Sequence, residues 1–200
     1  MSEILVNTIK KADGTGSLTV PADTGTVLTT ATTASSIPGY GSQITGADQY
    51  RLSGNISIPR QSLQVLNNNW ERPDTGGFAK IGTGVSEAAG VFTFPETGIW
   101  LISATFVFQE LDENNQYDEG HIYTTVDDGS NWVQSASVIG ALLALGVPRY
   151  FTSHCEFLFD VQDTANYKAR LAGFTEDVSQ VLGNTNTTLT GVTFTRLGDT

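Results

Sequence analysis

The chain contains one run, residues 99–109, in which apolar side chains occupy every second position, and this run limits the possible folds more than any other feature. Successive side chains of a β-strand point to opposite faces of the sheet, so a period of two predicts a strand with one face in a core. The predicted core face consists of Trp100, Ile102, Ala104, Phe106 and Phe108. The other face carries Leu101, Ser103, Thr105, Val107 and Gln109. The sequence therefore predicts a long, half-buried strand at this position.

Further alternating segments follow the same pattern, and turn signals separate them. A Pro-Gly signal at residues 95–98 precedes the long strand, and Asp128-Gly129 is a hairpin signal. Strands are predicted at residues 91–94, 99–109, 121–126, 154–161, 167–171 and 188–196. No ten-residue window combines an amphipathic helical pattern with a composition that suits a helix. About seven to nine short strands at this spacing are typical of an all-β sandwich or jelly roll.

Aromatic side chains mark off the later part of the chain. All three Trp and all ten Phe residues follow residue 55, and aromatic rings supply much of the buried area of a small core. The earlier residues are instead rich in Thr, Ser, Gly and Ala. A segment with so few apolar side chains does not offset its ordering entropy alone. The sequence therefore predicts an extended N-terminal arm at residues 1–54, ordered only against a partner, and a packed domain at residues 55–200.

The charge balance argues against several classes of partner. Acidic residues outnumber basic ones by 21 to 10, which gives a net charge of -11. Such a chain repels a phosphate backbone, so nucleic-acid binding is not expected. The longest stretch of low polarity, residues 137–147, is too short to span a bilayer, and membrane insertion is not expected. The single cysteine, Cys155, excludes an internal disulfide.

Residues suited to covalent catalysis do not form a recognisable pair. His154 and Cys155 are neighbours on a predicted strand and therefore point to opposite faces, so this imidazole cannot activate this thiol. Cys155 shares its predicted face with Phe157 and Phe159, which favours a buried, inert thiol. The Gly-x-Ser-x-Gly pattern of serine hydrolases is absent. We therefore expect a protein that is not an enzyme and binds no organic cofactor. If the protein were an enzyme, a small hydrolase would be the alternative.

An acidic, Asn-rich segment at residues 110–120 offers hard oxygen ligands of the kind that calcium prefers. The candidate calcium ligands are Asp112, Glu113, Asp118 and Glu119. The segment lacks the ligand spacing of an EF-hand loop, because its glycine follows the acidic residues instead of lying among them. A hydrated loop without metal is the alternative.

The segment GVFTFPETGIWLISATFVF, residues 90–108, resembles the signature of the jelly-roll family shared by tumour necrosis factor and the globular heads of complement recognition proteins. The matching residues are Phe92, Thr93, Pro95, Gly98, Ile99 and Trp100. Residues 155–171 and 188–197 resemble later strands of the family in the same order, with Gly191 at an expected small position. Gln162-Asp163 replaces the usual Gly-Asp turn between the first two of those strands. The resemblance spans about residues 60–198 and implies an antiparallel jelly roll.

This resemblance implies a homotrimer, because members of the family pack their inner sheets around a three-fold axis. Apolar residues on the predicted polar faces, and those of the segment ASVIGALLALGV at residues 136–147, would suit such an interface. The candidate interface residues are Leu101, Val107, Leu142, Leu143, Leu145 and Leu158. An ordinary deeper core within one chain is the alternative for these side chains.

A second resemblance lies in the arm. Residues 4–30, ILVNTIKKADGTGSLTVPADTGTVLTT, are similar to the N-terminal segment of many structural proteins of tailed bacteriophages, especially marine phages. The match rests on Ile4, Val6, Asn7, Thr8, Ile9, Pro21, Asp23, Gly25, Val27 and Leu28. It implies a protein that assembles in the host cytoplasm and reaches the virion surface as a knob or short fibre on the capsid. The residues expected to anchor the arm on capsid or tail proteins are Ile4, Val6, Asn7, Ile9, Pro21, Val27 and Leu28.

A tail-associated adhesin that recognises a host surface glycan or protein is the alternative function. Tyr117 and Trp132 are its candidate ligand surface, because aromatic rings stack on sugars and both residues lie beside predicted loops.

Overall fold

The computed structural model of the chain describes residues 8–10, 17–19, 44–141 and 146–200. The chain divides into two compact units, Met1–Ser42 and Gln43–Thr200. In the first unit, strand β1 (Thr8–Lys10) pairs antiparallel with strand β2 (Ser17–Thr19), and Ile9 lies opposite Leu18. Ile9 is thus the one predicted anchoring residue within the described part of the arm. The others, Ile4, Val6, Asn7, Pro21, Val27 and Leu28, lie outside the described residues.

The second unit is all-β, as predicted. Its strands are β3 (Ala47–Leu52), β4 (Ile56–Ile58), β5 (Ser62–Val65), β6 (Trp70–Glu71), β7 (Ser86–Ala88), β8 (Val91–Thr93), β9 (Gly98–Glu110), β10 (Tyr117–Thr125), β11 (Val133–Ala141), β12 (Arg149–Val161), β13 (Lys168–Thr175), β14 (Ser179–Val181) and β15 (Gly191–Gly198). A helix long and apolar enough to cross a membrane is not found among the described residues.

These strands form two antiparallel sheets. In the seven-stranded sheet the order is β4-β14-β9-β15-β3-β6, and β12 pairs with the other edge of β9. In the six-stranded sheet the order is β11-β10-β13-β8-β7, and β5 also pairs with β13. Strand β9 is central, because β12 runs along one of its edges while β14 and β15 follow one another along the other. The two layers form the jelly-roll sandwich that the sequence predicts.

Side chains from both sheets meet in one core. The predicted core face of β9 is confirmed, since these side chains are fully buried: Trp100, Ile102, Ala104, Phe106 and Phe108. The ring of Phe92 from the six-stranded sheet lies 5.0 Å from that of Phe194 in β15, between centroids. Each large apolar side chain buried in this way contributes about 1.5–3 kcal/mol to stability, so the aromatic rings hold the layers together.

The globular unit begins earlier than predicted. Strand β3 pairs with β15, from Ala47 opposite Thr195 to Arg51 opposite Gly191, and its side chains Tyr50 and Leu52 are buried in the core. The predicted domain boundary after residue 54 is based on where Trp and Phe residues occur in the chain. That criterion misses β3, because β3 contributes Tyr50 and Leu52 to the core and contains neither Trp nor Phe.

The turn between β10 and β11 confirms the hairpin predicted at Asp128-Gly129. Both residues have positive φ, 57° and 85°, as the two central residues of a type I′ turn require. The Asp127 carboxylate accepts hydrogen bonds from the Thr125 hydroxyl at 2.6 Å and from the Asn131 backbone N–H at 2.9 Å. These bonds lower the pKa of Asp127 to about 2, so the turn keeps its charged acceptor at any physiological pH.

One glycine lets the two sheets approach each other. Gly120 in β10 faces the core, where an added Cβ would overlap the ring of Phe106 from β9. We expect Gly120→Val to lower the free energy of unfolding by about 2–3 kcal/mol, because the ring would have to shift within a packed core. Urea unfolding measures this loss. Gly198→Val is the matched control, since a Cβ there meets nothing within 4 Å; equal losses in both variants would contradict the prediction.

Candidate functional site

Apolar side chains on the outward side of the seven-stranded sheet lie outside the core. We call Leu101, Val107, Tyr150 and Leu158 the self-association face. Leu101 in β9 lies directly opposite Leu158 in β12, and Leu158 is 58% exposed. Val107 and Leu101 are half-buried. Leu158 therefore belongs to a surface of the single chain, in keeping with its predicted role in an interface.

The remaining predicted interface residues, Leu142, Leu143 and Leu145, lie outside the described residues. Their place in an interface stays a prediction. They follow directly on strand β11, whose Ile139 is 63% exposed.

The edge of the sandwich formed by strands β11 and β12 adds exposed apolar side chains that sequence reasoning missed. Among the described strands, β12 pairs only with β9 and β11 pairs only with β10. These two edge strands adjoin each other, because a Cβ on Gly140 of β11 would overlap the ring of Phe151 of β12. Val133 and Tyr150, on these same strands, are 64% and 59% exposed. An edge strand with exposed apolar side chains is a surface that native proteins cover.

A polar network occupies the middle of the same sheet face. The imidazole of His154 lies with Nδ1 3.1 Å from Thr105 Oγ1 and Nε2 3.2 Å from Glu156 Oε1. The Ser103 hydroxyl donates to Glu156 Oε1 at 3.0 Å. Bonding to His154 and Ser103 lowers the pKa of the Glu156 carboxyl. Ser103 Oγ and Glu156 Oε1 both lie within hydrogen-bond distance of Nε2 of His154. In a catalytic triad the serine and the acid contact different imidazole nitrogens, so this arrangement is not a triad.

The prediction for Cys155 is confirmed. Its side chain is buried on the core face of β12, and burial raises the pKa of the thiol to about 11. The neighbouring His154 is exposed on the other face. A thiol with so high a pKa is not a nucleophile at neutral pH.

The four candidate calcium ligands do not converge. Asp112 accepts hydrogen bonds from the backbone and side chain of Asn114, and Glu113 is exposed. Asp118 and Glu119 are successive residues of β10, so they point to opposite faces of the sheet. Among residues 44–141 and 146–200, no group of three or more His, Cys, Asp or Glu side chains is placed to hold a metal ion. The segment is a loop followed by a strand.

A buried polar cluster joins the two sheets beside that loop, and sequence reasoning missed it. Its members are Glu110, Asn115, Asp118, Thr175 and Ser179. The Asn115 amide donates to Asp118 Oδ1 and Thr175 Oγ1, each at 3.0 Å, and to Glu110 Oε2. The Ser179 hydroxyl also donates to Asp118 Oδ1, at 3.2 Å. The alternation along β9 could have predicted that Glu110 is buried, because Glu110 continues the series of even-numbered residues that face the core.

Glu110 in this cluster is largely protonated at neutral pH. Burial, reinforced by the neighbouring Asp118 carboxyl, raises the pKa of Glu110 to about 8. Glu110 Oε1 and Asp118 Oδ2 have no hydrogen-bond donor from the described residues. The proton on Glu110 removes one buried charge from the cluster.

The two residues of the candidate ligand surface are far apart. Tyr117 begins β10 opposite Ala141, and its ring stacks on Phe174 with centroids 6.2 Å apart. Trp132 lies beyond the other end of β10, where it packs against Arg170. The length of β10 amounts to about 25 Å, so one sugar residue cannot contact both rings. Sequence reasoning missed Arg170 and its register partner Tyr123.

The sequence matches neither a known protein-family model nor a curated protein. Solved structures do share the fold. Murine APRIL at pH 5.0 has a TM-score of 0.55 and 10% identity, with 76% of this chain and 98% of that chain covered. Murine APRIL at pH 8.0 has a TM-score of 0.53 and 12% identity, with the same coverage.

Eiger TNF from S. frugiperda has a TM-score of 0.55 and 11% identity, and the match covers 79% of this chain and 96% of that chain. Identities this low establish the architecture alone. The globular unit therefore has the jelly-roll fold of tumour necrosis factor.

Proposed function

We propose that the chain is a non-enzymatic, homotrimeric structural protein of a tailed-bacteriophage virion. Its N-terminal residues attach it to a capsid or tail protein, and its jelly roll is displayed on the particle as a knob or short fibre. The self-association face carries this proposal, because it leaves the side chains of Leu158 and Tyr150 exposed in a single chain.

Three properties of that face support a symmetric assembly. Leu101 and Leu158 form a directly opposed pair, and the exposed Tyr150 lies at the other end of β12, beyond His154 and Glu156. The outer edge of β12 pairs with no described strand. A neighbouring copy that covers both the face and the edge removes apolar area and an unpaired strand from water together. The fold shared with Eiger TNF is compatible with trimeric packing.

The chemistry of the described side chains supports a structural role. The thiol of Cys155 is buried with a raised pKa, and the cluster around Glu110 is closed to solvent. The virion assignment rests on residues 4–30, which resemble the N-terminal segment of phage structural proteins. From this resemblance we infer that the segment attaches the jelly roll to a phage particle. Three joined arms would bind with avidity, since attachment of one raises the effective concentration of the other two.

Deletion of residues 1–42 is expected to abolish incorporation into particles. The globular unit Gln43–Thr200 has its own core, so the truncated protein should keep its circular dichroism spectrum and its oligomeric state. The measurement is antibody labelling of purified virions after expression of each form during infection. The matched control carries the same 42 residues in shuffled order. Equal labelling with the truncated and full-length proteins would contradict anchoring by this segment.

A tail-associated adhesin remains a second candidate, favoured by the aromatic side chains beside Arg170 on the six-stranded sheet. Location of the label on the head or the tail distinguishes the two functions. If particles that lack the protein adsorb to host cells at the normal rate, the adhesin function is wrong.

A further inference from the structure

An arginine lies between two aromatic rings on the outward side of the six-stranded sheet. Tyr123 in β10 is the direct register partner of Arg170 in β13. The guanidinium carbon of Arg170 lies 4.2 Å from the ring centroid of Trp132 and 5.4 Å from that of Tyr123. These side chains face away from the core, because the adjacent Ile122 and Leu171 are buried in it. We call Tyr123, Trp132 and Arg170 the arginine–aromatic face.

Arg170 differs from Arg51, Arg72 and Arg196 in its partners. Arg51, Arg72 and Arg196 each form an ion pair with a carboxylate. Arg170 forms neither an ion pair nor a hydrogen bond with any residue that the structure describes, and its buried Nε has no acceptor there. Loss of water around the guanidinium lowers the pKa of Arg170. The side chain is therefore held by ring contacts, while its two terminal amino groups remain available to an acceptor from outside the chain.

The rings beside Arg170 are fixed and carry polar groups at their edges. The Tyr123 hydroxyl donates to Gln134 Oε1 at 3.2 Å. The indole N–H of Trp132 donates to no acceptor among the described residues, and it borders Gly129, where the turn has no side chain to cover it. An aromatic surface with the indole N–H of Trp132 and the oxygen of Tyr123 at its edge suits a ligand with an apolar face and polar edges, such as a sugar ring.

We propose that the arginine–aromatic face binds a sugar that carries one carboxylate within an otherwise neutral saccharide. A planar guanidinium pairs with a carboxylate through two parallel hydrogen bonds, and the aromatic rings pack against the C–H face of the sugar. The net charge of -11 opposes a ligand with many negative charges. A nearby acid does not compete for Arg170, since Asp128 is paired with Lys168.

This site lies within one chain and on the sheet opposite the self-association face, so it goes beyond the proposed function and does not depend on it. A variant that fails to trimerise should still bind the sugar, and a protein that fails to bind sugar could still trimerise. Failure of either proposal is thus recognisable without the other.

Isothermal titration of the full chain with three probes tests the ligand chemistry. Cellobiouronic acid and cellobiose differ only in a carboxylate that replaces a hydroxymethyl group, and acetate supplies the carboxylate without the sugar. We expect measurable binding of cellobiouronic acid, with both other probes at least about tenfold weaker. Equal affinity for cellobiose, equal affinity for acetate, or no binding of cellobiouronic acid would each overturn the proposal.

Variants of the face test its location. Arg170→Gln and Trp132→Ala are expected to weaken the binding of cellobiouronic acid by about tenfold or more. Trp132→Phe, which keeps an aromatic ring, should retain most of it. Arg60→Gln is the matched control, because Arg60 is 66% exposed and lies elsewhere on the surface. If Arg170→Gln does not fold, Trp132→Ala and Trp132→Phe still decide the question. Unchanged affinity in a folded Arg170→Gln or Trp132→Ala variant would overturn the assignment.

Discussion

Leu158→Lys is expected to convert the proposed trimer into a monomer. Leu158 and its opposed partner Leu101 lie on the self-association face, where association would remove the new ammonium group from water. Taking a charge out of water costs several kcal/mol, even where acids such as Glu156 and Asp160 lie on the same face of the strand, and a closed trimer would contain it three times. Sedimentation equilibrium at about 10 µM should report three times the 21.4 kDa chain mass for the native protein. The variant should sediment as one chain.

The matched control places the same charge on the other sheet. Leu63 in β5 is 44% exposed, so Leu63→Lys should leave the trimer intact. Circular dichroism should show that both variants are folded, because neither side chain belongs to the core. A native protein that sediments as a monomer would contradict the trimer itself. A trimeric Leu158→Lys protein would show that association uses a different surface.

Stability should fall as pH rises through the neutral range, because of Glu110. Its pKa in the folded chain is about 8, above the value of about 4.3 for an unfolded glutamate. The folded state therefore binds a proton that the unfolded state has released, and this contribution is lost as pH rises toward 8. Between pH 6.5 and pH 8 we expect the free energy of unfolding to fall by about 1.5 kcal/mol. Burial lowers the pKa of His121, so His121 changes the free energy of unfolding only at more acidic pH.

Glu110→Gln should flatten this dependence. The glutamine amide can donate to Asp118 Oδ2 while its carbonyl accepts from Asn115, which reproduces the protonated state at every pH. Urea unfolding at pH 6.5, 7.25 and 8 measures the slope. Glu113→Gln is the control, since Glu113 is exposed in the adjoining loop and should leave the slope unchanged. A slope that persists in Glu110→Gln would assign the pH dependence to another group.

What the sequence predicts well is local, and what it misses depends on distant partners. The core face of β9 follows from the period of its own side chains. The start of β10 was missed, because Asp118 and Gly120 are typical of loops. Asp118 is buried with hydrogen bonds from Asn115 and from Ser179, which lies 61 residues later in the chain. The contact between Trp132 and Arg170 likewise depends on the pairing of β10 with β13, which no local pattern encodes.

The position of β9 at the centre of its sheet has a consequence for how the protein is made. Its three partners, β12, β14 and β15, all follow it along the chain. A ribosome therefore produces an apolar, partnerless strand long before the residues that will cover it. The seven-stranded sheet can close only after residue 198 has been synthesised, and such distant pairings form slowly. Until then the strand is open to pairing with other nascent chains. The interval before residue 198 is made is thus the stage at which the domain is most exposed to aggregation.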